Sequence, residues 1–371
     1  MKCVRVSRAG GPEVLELLEL PKPKLKDGWS LIKVQGFGIN HSEIFTRKGL
    51  SPSVKFPRVL GIECVGIIEE TTAENLEVGQ QIISIMGEMG RDFDGGYAEY
   101  TLIPNHQIYP VMIKGLDLDS LIALPETYYT AFGAYKNLKI HCNDRILVRA
   151  ATSGVGVAFA KLIKGEFPNI YLVGTTRNLS KKQELLERGF SEVILENDGI
   201  LHTNQTFTKI LDLVGPSVMK DSISHLAEDG IICSCGQLGG QWTLKDFDPI
   251  MELHNNVYLT TFYSGNVTTN KLQDLINFVE KYNVNVRPEN TKESDLRNEN
   301  NPTYVKLQEL LGDVSGDGTN KIYVPYVAVI RDGKVIDFML SLDYDAHTVQ
   351  ITEAQIEEYK TRLNELLDKR L

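Results

Sequence analysis

Residues 146–163 read ILVRAATSGVGVAFAKLI. Ile146, Leu147 and Val148 form a short apolar run of the kind that suits a strand buried on both faces of a parallel sheet. Ser153, Gly154, Val155 and Gly156 follow, small enough for a tight turn, and from 157 to 163 the apolar residues return at helical spacing. A strand, a glycine turn and a helix in that order bring backbone N–H groups and the positive end of a helix dipole to one point, which suits a pyrophosphate. The stretch lacks a full G-x-G-x-x-G, so the reading rests on its strand–turn–helix context. It predicts an α/β fold with a doubly wound parallel sheet that binds a nicotinamide dinucleotide.

The next apolar run, 169–174, ends about 20 residues past the glycines, where an Asp or Glu would hold a ribose 2′-OH. Here it runs into Thr175, Thr176 and Arg177, followed by Ser180, Lys181 and Lys182. Hydroxyls and cations suit a 2′-phosphate, because charge-assisted bonds to phosphate are strong. Thr175, Thr176, Arg177 and Lys181 are therefore read as residues selecting NADPH.

Beyond this core, helix and strand patterns alternate from about 117 onward. Helical patterns fall at 131–138, 180–188, 217–227 and 270–282, and strands at 170–173, 193–195, 209–213 and 231–234. Such repeated β–α units build a parallel sheet. Upstream, runs at 31–34, 65–68 and 81–84 are separated by Gly, Pro and Asp, which predicts an irregular antiparallel β-rich module.

The composition fits an ordinary globular chain of two or three domains: 371 residues, 42% hydrophobic and 24% charged. A net charge of −10 argues against nucleic acid as a partner. No apolar run approaches the roughly 18 residues of a membrane helix, and the first stretch lacks the apolar segment of a signal peptide. The 5 scattered cysteines give no disulfide framework, and Cys233 and Cys235 read as packed thiols, so a cytoplasmic location is expected.

Several motifs occur in a characteristic order: Gly36-Phe37-Gly38-Ile39-Asn40, Arg47-Lys48-Gly49, the run 57–66 (PRVLGIECVG), Gly95-Gly96-Tyr97-Ala98-Glu99-Tyr100, Pro125 with Thr130-Ala131, and the turn at 150–156. Over roughly residues 1–286 the chain resembles the medium-chain dehydrogenase/reductase superfamily, in its zinc-free quinone-oxidoreductase-like branch. The resemblance implies a GroES-like module at 1–116, which would carry the substrate and catalytic residues, and a Rossmann NADP-binding domain at 117–286. It also implies that Asn40 sits by the nicotinamide ribose and the substrate, and that Thr130 approaches the nicotinamide amide. Gly236 and Leu238 would line a crossover, while Phe262 and Tyr263 belong to a loop covering the nicotinamide. A homodimer is the family's usual assembly.

Zinc alcohol dehydrogenases of this superfamily take catalytic ligands from a Cys and from the His of a Gly-His-Glu motif. The matching positions here are Asn40 and Ile62, an amide and a hydrocarbon, and neither serves zinc. No cysteine lies between Cys64 and Cys142, so the four-cysteine lobe is missing too. Without a Lewis acid to ionise an alcohol, the expected reaction is hydride delivery to an electrophilic acceptor, a quinone or an enone or enal. Where the family commonly has a tyrosine this chain has Phe45, which leaves Tyr128, Tyr129, Tyr263, His41 or solvent as proton sources.

After Val286 the family pattern stops. Residues 287–303 are polar and read as a linker. Residues 321–330 and 335–340 flank Arg331-Asp332-Gly333-Lys334 and read as a hairpin, and an amphipathic helix is expected over 352–367. This end of the chain resembles the C-terminal half of a thioredoxin-like domain, without its Cys-x-x-Cys. Two rivals to catalysis stay open: a non-catalytic NADPH-binding protein, and a chimera whose tail at 287–371 mediates contact with a partner.

Overall fold

The computed structural model describes residues 1–253 and 256–286, together with the backbone of 325–331 and 334–340. The amino-terminal part is antiparallel. Strands β1 (Lys2–Val6), β2 (Leu15–Glu19) and β4 (Arg58–Val59) form one small sheet. Strands β3 (Trp29–Gly36), β5 (Glu63–Thr71), β6 (Gln81–Ile85), β7 (Tyr100–Pro104) and β8 (Tyr109–Pro110) form a second, in the order β7-β3-β5-β6-β8. Between β3 and β4 lies a short helix, α1 (His41–Arg47), with Asn40 at its cap. Helices α2 (Leu118–Ile122) and α3 (Pro125–Leu138) lead into the second part. The helix expected at 131–138 begins earlier, because Pro125 is pre-set for a first helical position.

The second part is the α/β unit announced by residues 146–163. Strand β9 (Arg145–Arg149) passes through the turn into α4 (Gly154–Glu166). Then come β10 (Tyr171–Thr176), α5 (Lys182–Glu187), β11 (Glu192–Asn197), β12 (Ile200–Leu201), β13 (Phe207–Asp212), α6 (Met219–Ser224), β14 (Leu226–Ser234), α7 (Pro249–Glu252), β15 (Tyr258–Thr261) and α8 (Thr269–Lys281). The sheet order is β12-β11-β10-β9-β13-β14-β15, parallel throughout except for the edge pair β11/β12. Successive strands leave β9 in both directions, and ligands of such sheets lie in the crevice at that switch point. Val148 pairs with Gly174 on one side and Leu211 on the other, which explains why the run 146–148 carries no polar residue. The helix expected over 217–227 stops at Ser224, since β14 already begins at Leu226.

Helix α8 buries Leu272, Leu275, Ile276 and Val279, the stripe expected from its spacing. Its polar side reaches back to the first part of the chain. The Met112 N–H donates to Gln273 Oε1 at 2.8 Å, and the Lys114 and Gly115 N–H groups donate to Glu280 Oε1 at 2.6 and 2.8 Å.

The expected hairpin is present as β16 (Pro325–Arg331) and β17 (Lys334–Leu340), antiparallel with Arg331 opposite Lys334. The linker at 287–303 and the helix at 352–367 lie outside the described residues. Among the described residues no helix is long and apolar enough to cross a membrane, and the five cysteines are free thiols.

Candidate active site

At the carboxyl end of β9, Ser153 caps α4, and its Oγ accepts the Gly156 N–H at 3.1 Å. Helix geometry leaves the N–H groups of Gly154 and Val155 without an intrahelical partner, pointing out of the helix start. A Cβ on Gly156 would lie 2.8 Å from the Ala151 carbonyl and 2.9 Å from that of Ala150, so only glycine lets the turn fold this tightly against α4. These features fit a dinucleotide pyrophosphate.

The turn stands on a buried charge network. Arg149 is fully buried; its Nε donates to Glu196 at 3.0 Å, and its Nη1 to Asp221 at 2.6 Å and Ser222 Oγ at 3.1 Å. Its Nη2 donates to the Gly199 carbonyl at 2.9 Å. Thr175 donates to the same Glu196 oxygen at 3.1 Å and accepts the Ala150 N–H at 3.1 Å. Ala150 has φ +56°, a left-handed conformation that costs a non-glycine residue roughly 1–2 kcal/mol. Thr175 thus pins the strained first residue of the turn. Asp212, at the end of β13, accepts from the N–H groups of Val214 and Gly215, both at 2.9 Å, and burial raises its pKa to about 6.

This placement changes the reading of the 2′-phosphate residues. The Thr175 hydroxyl is committed inward, and Thr176 Oγ1 bonds both the N–H and the carbonyl of Asn178, each at 3.1 Å. Both threonines are 1% exposed. Arg177 is exposed, and Lys181 stands on a turn of 3₁₀ helix with Glu184 at 3.9 Å. The two hydroxyls are thus turned into the fold, whereas the two cations lie toward its surface.

Asn40 is 5% exposed and lies in a cluster of buried carboxyls. Its Nδ2 donates to Glu63 Oε1 at 3.1 Å, and its N–H donates to Glu43 Oε2 at 2.6 Å. Glu43 also accepts the Ile62 N–H at 2.8 Å and the Tyr97 hydroxyl. Glu63 accepts the N–H of Glu126. Glu126 Oε1 in turn accepts from Ser264 Oγ at 2.9 Å and Thr130 Oγ1 at 3.4 Å. A chain of hydrogen bonds therefore runs from Asn40 through Glu63 and Glu126 to Thr130 and to the loop bearing Phe262 and Tyr263. Among the described residues no ion pair reaches these three carboxyls. Burial raises all of them, Glu43 to about 7 and Glu63 to about 8; the Asn40 N–H opposes the rise at Glu43, the Glu126 N–H and the Asn40 amide at Glu63, and the Ser264 hydroxyl at Glu126.

Sequence reasoning settled on Asn40 and Ile62 and passed over the glutamates. The available signal was a carboxylate inside each motif: Glu43 in the first turn after Asn40, Glu63 beside Ile62, and Glu126 after Pro125. The tyrosines considered as proton donors are mostly committed. The Tyr128 hydroxyl donates to the Val286 carbonyl at 3.2 Å and that of Tyr129 to the Asn266 carbonyl at 2.8 Å, whereas Tyr263 is 69% exposed. Phe262 packs edge-on against Tyr129 and covers Gly133, where a Cβ would meet its ring at 2.1 Å. Gly236 and Leu238 meet the end of β13: the Leu238 N–H donates to the Leu213 carbonyl at 3.2 Å, and a Cβ on Gly236 would strike that oxygen at 2.2 Å.

Residues 26–113 match the family model of the alcohol dehydrogenase GroES-like domain. The chain is 31% identical over 198 residues to the quinone oxidoreductase of Pongo abelii, a match covering 52% of this chain and 58% of that relative. It thus spans less than two thirds of the length of that relative. Among solved structures, the yhdH oxidoreductase of Salmonella enterica in complex with NADP superposes with TM-score 0.67 at 18% identity, covering 78% of this chain and 89% of that one. The Bacillus subtilis protein yhfP with NAD bound gives TM-score 0.66 at 19% identity, covering 76% and 87%. These likenesses establish a GroES-like domain joined to a Rossmann-like sheet. They lend no support to the thioredoxin-like resemblance of the C-terminal segment.

Proposed function

We propose that this chain is a medium-chain dehydrogenase/reductase, and within it an NADPH-dependent, zinc-independent reductase of quinones or α,β-unsaturated carbonyls. The observation that carries this reading is the hydrogen-bond chain from Asn40 through Glu63 and Glu126 to Thr130 and Ser264. It joins the first part of the molecule to the carboxyl end of the parallel sheet. When bound, NADPH supplies the hydride.

The protein's own part is binding and orientation. The N–H groups of Gly154 and Val155 hold the pyrophosphate with the α4 dipole behind them. Arg177 and Lys181 meet the 2′-phosphate, and no carboxylate stands at 175–177 to favour a free ribose hydroxyl. Asn40, fixed at Nδ2 by Glu63, has a second amide hydrogen for the oxygen on which charge develops. Burial raises Glu63 to about 8 and Glu43 to about 7, so near neutral pH Glu63, the partner of the Asn40 amide, is mostly uncharged and opposes that oxyanion little. Ile62 supplies an apolar wall where a zinc ligand would stand. Residues 1–116 act as the substrate side and 117–286 as the cofactor side, in a cytoplasmic homodimer.

The test follows nicotinamide absorbance with the full chain, NADPH or NADH, and a benzoquinone or a 2-alkenal. NADPH oxidation with at least one acceptor is expected, at least about tenfold slower in Asn40→Ala. Arg177→Glu with Lys181→Glu should erode the preference for NADPH. Tight NADPH binding without turnover on either acceptor would refute the reductase reading and favour a non-catalytic NADPH-binding protein.

A further inference from the structure

One aromatic contact bridges the two parts of the molecule. Phe45, on α1 one turn past Asn40, meets Trp242 with ring centroids 5.5 Å apart and planes at 70°. His41 also packs against Phe45, at 5.3 Å and 73°. Trp242 belongs to the loop after β14, the loop that starts with Gly236 and Leu238. The base of that loop is fixed, since the Gly239 N–H donates to the Val214 carbonyl at 2.9 Å. Its tip stands clear, with Trp242 57% exposed. Trp242 itself lines a cavity of about 420 Å³, whose other walls include Ser217, Lys220, Asp221, Gln241 and Lys245.

An exposed indole reaching across to another domain's aromatic ring has little to gain from burial. Its position suits an aromatic gate. We infer that Trp242 and Phe45 form the mouth of the acceptor site and select planar, electron-poor rings over open-chain enals. The inference rests on the reductase reading and specifies its substrate class. A quinone ring entering between the two aromatics replaces one edge-to-face contact by stacking against the electron-rich indole face. An aliphatic enal has no ring to offer and gains nothing from that face. Phe45 serves the same end: as a hydrocarbon ring it keeps the mouth apolar.

The test compares 1,4-naphthoquinone and a 2-alkenal on the full chain, using wild type, Trp242→Ala and Trp242→Phe. Trp242→Ala should raise KM for the naphthoquinone about tenfold and leave that for the alkenal within about twofold, and Trp242→Phe should restore most of the loss. The chain has 2 tryptophans, and Trp29 lies elsewhere, against Phe93 and Lys26. Naphthoquinone should therefore quench a saturable part of the fluorescence that Trp242→Phe removes. Equal changes in KM for both acceptors, or no saturable quenching from Trp242, would overturn the gate. Saturable quenching without turnover on any acceptor would leave the ring site standing and refute the reductase reading.

Discussion

Replacing Arg149 by methionine removes the only side-chain cation bonded to Glu196 and Asp221 among the described residues outside histidine, while keeping much of the side-chain volume. Four hydrogen bonds go with it. Breaking a buried ion pair from one side costs about 3–5 kcal/mol, because the remaining charge is left uncompensated. Asp221, with a side chain 19% exposed, recovers part of its hydration, whereas Glu196 at 6% recovers little. The expected loss is therefore about 3–4 kcal/mol, roughly 6–16 °C in Tm for domains of this size. Urea unfolding followed by circular dichroism measures it. Arg149→Met with Glu196→Gln should recover about half of the loss. A loss below about 1 kcal/mol, or no recovery in the double variant, would show that the network does not support the turn.

Gly156→Ala forces a methyl group against the carbonyls of Ala150 and Ala151, so the turn must open; NADPH affinity by fluorescence titration should fall at least about tenfold, and an unchanged Kd would contradict the close approach. The Glu43 and Glu63 carboxyls have folded-state pKa values raised above the unfolded value of 4.5. The folded protein therefore binds their protons more tightly: their stabilising effect is full below about pH 4.5 and is lost as pH rises through about 7 and 8. Each contributes a negative slope of up to about 1.4 kcal/mol per pH unit across that window. Denaturant unfolding from mildly acidic to mildly alkaline pH should show this decline in wild type and a flatter profile in Glu43→Gln/Glu63→Gln; parallel profiles would count against it.

The parts of the molecule that follow from local pattern were readable in the sequence. The run 146–148, the turn and α4 stand as expected, because strand burial, small turn residues and helical spacing are all written within 18 consecutive residues. The apolar stripe of α8 was legible for the same reason. What escaped notice depends on neighbours far away in the chain. Nothing near Thr175 says that its hydroxyl turns inward, because Glu196 and Ala150 approach only once β9, β10 and β11 lie side by side. Glu43, Glu63 and Glu126 were passed over because carboxylates are seldom buried unless paired, and no single motif shows the others arriving beside it. They are drawn together by the fold and satisfied by backbone N–H groups and hydroxyls. The contact of Phe45 with Trp242 belongs to the same class: 197 positions separate the two rings.

Helix α8 has a consequence for how the molecule assembles. Met112 meets Gln273 across 161 positions, and Lys114 meets Glu280 across 166. On the ribosome the first 116 residues emerge long before these partners exist, and amino-terminal units usually fold first. The exit from the antiparallel part therefore stays unanchored until nearly all of the parallel sheet has been synthesised. Contacts that span so much chain are slow to close. The last described helix is thus a late fastening step, and the seam between residues 112–115 and α8 is completed only when it docks.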